Sequence, residues 1–137
     1  MIFDSFGELN WLAIVVATIA WFIFSAAWYS VPPLSQAWQR ASRVETSEGP
    51  PLAVLFIPTL IGYFVTTVVI ALLVAATGTA TVADGIILGV TLGIGFGVVN
   101  ALVNQIYERK GSNYWLINGF NAIVAYSIVA VILAVWD

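Results

Sequence analysis

Four apolar segments, each long enough to cross a lipid bilayer, dominate this sequence. They lie at about residues 10–29, 53–77, 84–105 and 114–136, and about 20 apolar residues in a helix span the hydrocarbon core. Only 8% of the 137 residues are charged, whereas a soluble domain carries roughly 25%. The sequence therefore predicts an all-α integral membrane protein, with residues 1–137 forming one domain built as a four-helix bundle.

The two longer connectors, at about residues 30–52 and 106–113, hold most of the charged and helix-breaking residues. Pro32-Pro33 is expected to end the first span, because proline cannot continue a helix. Farther along the first connector, Leu34, Trp38 and Ala41 recur at helical spacing. This spacing predicts a short interfacial helix that lies flat on the membrane, with the Trp38 ring at the lipid headgroups.

Helix caps indicate where the last two spans begin. Thr81 stands three residues before Asp84, an arrangement typical of a capping box at the start of a helix. Ser112 or Asn113 is expected to cap the fourth span, because both side chains accept hydrogen bonds from the first free backbone N–H groups.

Tryptophan residues stand near the ends of the predicted helices, at Trp11, Trp38, Trp115 and Trp136. The indole ring is amphipathic and is enriched where the membrane meets water. We therefore expect these four side chains to act as interfacial anchors.

The distribution of charge predicts the orientation of the chain. All four basic residues, Arg40, Arg43, Arg109 and Lys110, fall in the first and third connectors. Basic residues close to a span resist translocation, so these connectors are expected in the cytoplasm and both termini outside. In a bacterium this orientation corresponds to the inner membrane with periplasmic termini.

The residue types that most enzymes need are missing from this sequence. It contains no Cys and no His, so thiolate and imidazole chemistry and most metal sites are excluded. No predicted span has a charged residue away from its ends, which removes paired carboxylates and the usual proton relay. Four basic residues give no electrostatic footprint for nucleic acid. We expect a non-catalytic protein without metal or cofactor, whose partner is the lipid bilayer.

A glycine ladder runs along the third predicted span at Gly85, Gly89, Gly93 and Gly97. Successive positions advance by about 40° around a helix, so the four share one face. Small residues on one face let two helices approach closely in lipid, and such a face is therefore favoured as a packing interface over a sliding or gating surface. The interface lies either within one bundle or between protomers, in which case the protein packs with itself or with a larger membrane assembly.

Asparagines are concentrated in the half of the bundle that is expected to face the cytoplasm. At constant helical spacing, Asn100 and Asn104 share the glycine face, while Asn118 and Asn121 form a polar stripe at the start of the fourth span. Trp28-Tyr29-Ser30 ends the first span at the same level. Two interpretations remain open: a hydrogen-bonded staple between the third and fourth spans, or the polar vestibule of a small oligomeric transporter or channel.

Several short motifs carry a resemblance to a known family. They are Asn10-Trp11-Leu12, Trp28-Tyr29-Ser30, Ala37-Trp38, Glu108 and Ile117-Asn118-Gly119. In these elements the chain resembles the bacterial family called domain of unknown function 1761, from which it departs by lacking a basic residue beside Trp38. The resemblance covers nearly the whole chain and implies a small four-span protein of the bacterial inner membrane. It supplies no activity.

The topology gives a first testable prediction. An enzymatic reporter that is active only outside the cytoplasm, fused after Asp137, should be active, because the basic connectors hold the other side of the bundle in the cytoplasm. The matched control is the same reporter inserted beside Lys110, where it should be silent. Activity beside Lys110 and silence at Asp137 would contradict the predicted orientation.

Overall fold

Helices account for almost all of the residues that the structure, a computed structural model, describes, namely residues 2–30, 34–42 and 52–136. A short 3₁₀ helix, Ile2–Glu8, comes first. The four long helices are the first span Trp11–Ser30, the second within Leu52–Thr77, the third Val82–Tyr107 and the fourth Tyr114–Val135. All four are long and apolar enough to cross a membrane. The all-α four-helix membrane architecture predicted from the sequence is confirmed.

The caps of the last two spans differ in origin. Thr81 is the N-cap of the third span, and its hydroxyl oxygen accepts a hydrogen bond from the Asp84 backbone N–H at 3.1 Å. Asn113 occupies the N-cap position of the fourth span but makes no side-chain capping bond. Instead, Gln105 Oε1 accepts a hydrogen bond from the Trp115 N–H at 3.0 Å. The tight connector brings Gln105 to this position, so the cap expected from Ser112 or Asn113 comes from the end of the preceding span.

The helix predicted in the first connector runs from Leu34 to Ser42. It docks on the last connector, where the Gly111 N–H donates to the Ala41 carbonyl, and Ala41 is buried. The Trp38 ring meets the Tyr29 ring edge-on, with centroids 5.4 Å apart. Trp38 therefore contacts the first span, and its position at the lipid headgroups stays a prediction. The helix-ending role expected of Pro32-Pro33 and the terminal Asp137 lie outside the described residues.

The fourth span lies at the centre of the bundle. It contacts the other three spans, the third most extensively, and the first span also packs against the second. In the described part of the chain, the second and third spans stand apart, each against the fourth. The bundle is therefore open on the side between its second and third spans.

The glycine ladder makes the contact between the third and fourth spans. Its members face the fourth span in order, with Gly85 against Val131, Gly89 against Ser127, Gly93 against Ile123 and Gly97 against Ala122. A Cβ atom added at Gly93 would lie 2.5 Å from the Ile123 Cα atom, so only glycine fits there without a shift of backbone. The chain's own fourth span thus covers the glycine face.

The two ends of the bundle differ in character. The first span ends, and the second begins, at the end that carries Arg40, Arg109 and Lys110, here called the basic end. In the other half, side chains such as Ile14, Ile70 and Val129 are at most 2% exposed. This apolar core closes the bundle away from the basic end.

The glycine contact predicts that an added methyl group lowers stability at Gly93 but not at Gly95. Gly93→Ala should lower the free energy of unfolding by about 1–3 kcal/mol, the usual cost of overpacking, because its Cβ would meet the backbone of Ile123. Gly95→Ala is the matched control, since a Cβ at Gly95 meets nothing within 4 Å. Denaturation in mild detergent measures both variants, and equal losses would show that the glycine face does not hold the two spans together.

Candidate functional site

A polar cavity of about 240 Å³ extends from the basic end toward the middle of the bundle, and residues of all four spans line it, most of them from the third and fourth. It brings together all four asparagines that the sequence analysis singled out. Its lining consists of Trp21, Tyr63, Phe96, Gly97, Asn100, Ala101, Asn104, Tyr114, Asn118, Asn121, Ala122 and Tyr126. None of these residues is charged. We call this space the amide cavity.

A change in helix geometry positions the asparagines of the third span. Within the third span, residues Gly93–Val98 form a π-helical segment. Its turns are wider than those of an α-helix, so the residues that follow point in directions other than constant α-helical spacing predicts. Ala101 is buried at 6% exposure, whereas Asn100 is exposed. Asn100 therefore lies beside the buried face, although constant helical spacing placed it within that face. Short π segments occur frequently at functional sites.

Hydrogen bonds tie the asparagines of the fourth span to the first span. The Tyr29 hydroxyl donates to Asn118 Oδ1 at 2.5 Å, and Asn118 Nδ2 donates to the Tyr114 carbonyl at 3.0 Å. Asn121 Nδ2 donates to Ser25 Oγ at 3.4 Å. The molecule thus contains a staple, but it joins the fourth span to the first and not to the third.

The asparagines of the third span differ from those of the fourth. Within the described ranges, the side chains of Asn100 and Asn104 make no hydrogen bond to protein, although both line the amide cavity. An amide carries two N–H donors and an acceptor oxygen. These two side chains are therefore available to a molecule inside the cavity.

Trp21 forms an aromatic wall of the amide cavity. Its ring stacks on Tyr63 with centroids 4.1 Å apart and an interplanar angle of 9°, and it meets the Tyr126 ring edge-on at 5.5 Å. Trp21 is only 6% exposed, and its Nε1 has no hydrogen-bond partner in the described structure. A buried donor without an acceptor costs about 1–3 kcal/mol. Trp21 is therefore a costly residue in the wall of the amide cavity.

A second, larger cavity of about 410 Å³ lies between the first and second spans, under the surface helix. We call it the aromatic cavity. Its lining consists of Phe22, Ser25, Ala26, Tyr29, Ser30, Trp38, Phe56, Thr59 and Tyr63. Tyr63 lines both cavities. The hydrogen-bonded pairs of Tyr29 with Asn118 and Ser25 with Asn121 therefore stand between the two spaces.

The three side chains of the Trp28-Tyr29-Ser30 element lie in different places. Tyr29 and Ser30 line the aromatic cavity, and Tyr29 reaches the amide cavity only through its bond to Asn118. Trp28 lines neither cavity: its ring lies 5.7 Å from the Phe24 ring, and its buried Nε1 is unpartnered among the described residues. Sequence position alone placed Trp28 at the polar site because it ends the same helix.

The tryptophans expected as anchors lie in different surroundings. Trp11 packs between Phe6 and Phe64, with ring centroids 5.7 Å and 6.4 Å away. Trp115 is half-buried, and Trp136 is 38% exposed. Their anchoring at the membrane interface stays a prediction.

Sequence reasoning missed the aromatic part of the amide cavity, formed by Trp21, Tyr63, Tyr114 and Tyr126. A signal was present for Trp21, Tyr63 and Tyr126, because they lie within spans and not at their ends. A buried indole N–H or phenol O–H normally seeks a hydrogen-bond partner. Polar-tipped aromatics inside an apolar span therefore indicate a polar neighbour.

The cavity lining limits the chemistry of the site. The lining offers amide, hydroxyl and indole groups, and it holds no carboxylate, thiol or imidazole. In the part of the chain that the structure describes, no group of three or more His, Cys, Asp or Glu residues could hold a metal ion. The arrangement suits hydrogen bonding to an uncharged molecule.

Comparison with known proteins identifies one family. The family model described as "Protein of unknown function (DUF1761)" matches residues 12–134, which include all four spans almost completely. No curated protein and no solved structure matches the chain.

The staple gives a prediction that separates the two pairs of asparagines. Asn118→Leu should lower the free energy of unfolding by about 0.6–2 kcal/mol, the range for polar contacts between membrane helices, because it removes the acceptor of the Tyr29 hydroxyl. Asn104→Leu should cost less, since its amide has no such bond in the described structure. Unfolding in detergent measures each variant.

A double-mutant cycle with Tyr29→Phe completes this test. The two losses should be less than additive, because both variants remove the same hydrogen bond. Fully additive losses, or equal costs for Asn118→Leu and Asn104→Leu, would contradict the staple.

Proposed function

The chain belongs to the DUF1761 family of proteins of unknown function, and from the geometry of its amide cavity we propose that it is a non-catalytic membrane protein that binds a small uncharged polar group. One observation carries the proposal. Asn100 and Asn104, whose amides make no hydrogen bond in the described protein, converge with Asn118 and Asn121 on one cavity without a charged residue.

The balance of donors and acceptors supports an uncharged ligand. Each amide donates and accepts, and each tyrosine hydroxyl does the same. A charged ligand would lose its hydration without gaining a counter-charge from the lining, at a cost of several kcal/mol. The cavity volume of about 240 Å³ lies below the roughly 300–1,000 Å³ of pockets for drug-sized ligands. A ligand of a few polar atoms, or the head of a longer molecule, fits this space.

Self-assembly through the glycine ladder has less support from the geometry. The fourth span already covers Gly85, Gly89, Gly93 and Gly97, so a second copy would have to displace it. Transport across the membrane also has less support from a single chain. Ile14, Ile70 and Val129, each at most 2% exposed, would have to separate to extend the amide cavity through the bundle.

We place the binding site on the cytoplasmic side of a bacterial inner membrane. The amide cavity opens at the basic end, beside the connector that holds Arg109 and Lys110. Basic connectors remain in the cytoplasm. A ligand would then enter from the cytoplasm or from the inner half of the bilayer.

Identification of the bound molecule tests the proposal. Wild-type protein and the double variant Asn100→Leu/Asn104→Leu are purified in mild detergent, and the molecules that remain bound are identified by mass spectrometry. The loss of two hydrogen bonds of about 1 kcal/mol each should weaken binding about thirtyfold. The variant should fold normally, because neither amide bonds to the described protein.

The matched control is Val99→Leu/Val103→Leu. These residues have the same spacing on the same helix, but they are 51% and 43% exposed and lie outside the cavity. The control should retain the wild-type ligand. The proposal fails if the asparagine variant keeps the same bound molecule at the same occupancy, or if wild-type protein carries none.

A further inference from the structure

The opening between the second and third spans contains a second feature that the proposed function does not use. An apolar crevice of about 210 Å³ lies there, with Val69 and Leu73 on the second span and Leu92 on the third. We call it the lateral crevice. Val69 is 47% exposed and Phe96 is 67% exposed, so the crevice opens toward the space that lipid chains fill. A lipid-facing groove of this kind is filled by apolar chains in a bilayer.

The lateral crevice adjoins the amide cavity. Phe96 and Tyr126 line both spaces, so the two spaces are neighbours, with the crevice farther from the basic end; we call the pair the recess. Leu92 lies eight residues, about two helical turns, farther from the basic end than Asn100. The recess is polar near the membrane surface and apolar toward the bilayer centre.

This gradient matches the shape of an amphiphile and the way it lies in a membrane. A membrane amphiphile keeps its head near the surface and its chain toward the centre, in the same direction as the recess. Each of the two spaces is smaller than a pocket for a drug-sized ligand, which favours one chain and one compact head. A fully water-soluble ligand would leave the apolar half of the recess unused.

The chemistry of the ligand's head group can be inferred from the protein groups that have no hydrogen-bond partner. Trp21 is nine-tenths buried and lines the amide cavity, and its N–H has no acceptor in the described structure. The Asn100 and Asn104 amides offer both donors and acceptors there. Since the lining holds no charge, a phosphate or carboxylate head would be desolvated without compensation. Hydroxyl, ester or amide groups can bond to the two asparagine side chains without carrying charge.

We infer that the amide cavity binds the uncharged head of a single-chain membrane amphiphile, such as a monoacylglycerol, whose chain lies in the lateral crevice between the second and third spans. This inference rests on the proposed binding function and adds the class of ligand and its route of entry. The ligand enters sideways from the bilayer, through the side of the bundle where the second and third spans stand apart.

A photoreactive probe tests the inference directly. Monooleoylglycerol with a diazirine in its chain is added to the full-length protein in phosphatidylcholine vesicles, and the labelled residues are mapped after illumination. Label should concentrate at Val69, Leu73 and Leu92, above the lipid-facing positions Ile61 and Ile87, which are 59% and 63% exposed. Even labelling over all exposed apolar positions would overturn the inference.

A substitution that fills the lateral crevice tests whether the ligand's chain lies there. Val69→Trp should reduce crevice labelling at Leu92 by about fivefold, because a large ring occupies the closely packed space that the chain needs. Val65→Trp is the matched control: it introduces the same side chain one turn earlier on the same helix, at a position 56% exposed and outside the crevice. Labelling of Val65→Trp should equal that of wild type, and equal labelling of both variants would overturn the inference.

Two further arms separate the inference from the proposed function. A diazirine fatty acid, whose head is charged, should not label the crevice preferentially; enrichment equal to that of monooleoylglycerol would overturn the uncharged-head assignment.

Asn100→Leu/Asn104→Leu should reduce monooleoylglycerol labelling of Leu92. If that variant loses the ligand found by mass spectrometry while Val69→Trp labels like wild type, the binding function stands and the lateral route is wrong. If it keeps that ligand, the binding function itself is wrong.

Discussion

Helices in a bilayer gain little by hiding apolar surface from one another, because lipid tails are equally apolar. Their association depends on close shape complementarity and on polar contacts. Here the glycine face of the third span supplies the shape, with Gly85, Gly89 and Gly93 each meeting backbone atoms of the fourth span. This contact fixes the third span against the fourth, away from the second. The lateral crevice lies between the second span and this pair, and the amide cavity lies beside it.

Polar contacts fix the remaining arrangement at the basic end. Asn118 and Asn121 use their amides to hold the first span, through Tyr29 and Ser25. The third span needs no such bonds, since its glycines already hold it. Its two asparagines therefore face a cavity without bonds to the described protein. A staple and a pocket, which the sequence presented as alternatives, are both present: Asn118 and Asn121 make the staple, and all four asparagines line the cavity.

Some of these features could be predicted from sequence and others could not. Hydropathy located the spans, because an apolar segment of about 20 residues crosses a bilayer as a helix that satisfies its own backbone groups, and the spacing of Thr81 and Asp84 located a cap. The partner of Asn118 could not be predicted, since hydropathy does not say which span lies next to which. The π segment Gly93–Val98 could not be read from a constant helical period, and it moved Asn100 off the predicted face. Gln105 became a cap only because a tight connector brings it to the fourth span.

The amide cavity is costly for the protein to keep, and this cost is itself an argument about function. Leucine at Asn100 and Asn104 would suit a lipid environment better than two amides without partners in the described chain. The buried Trp21 N–H without an acceptor adds about 1–3 kcal/mol. A bundle that served only to pack its helices would gain stability by replacing the two asparagines with apolar residues. Sites that break a local rule of stability are expected where a function compensates for it, and polar residues inside membrane helices follow the same pattern. A hydrogen-bonding head group in the cavity would give the two amides the partners that the described protein does not supply.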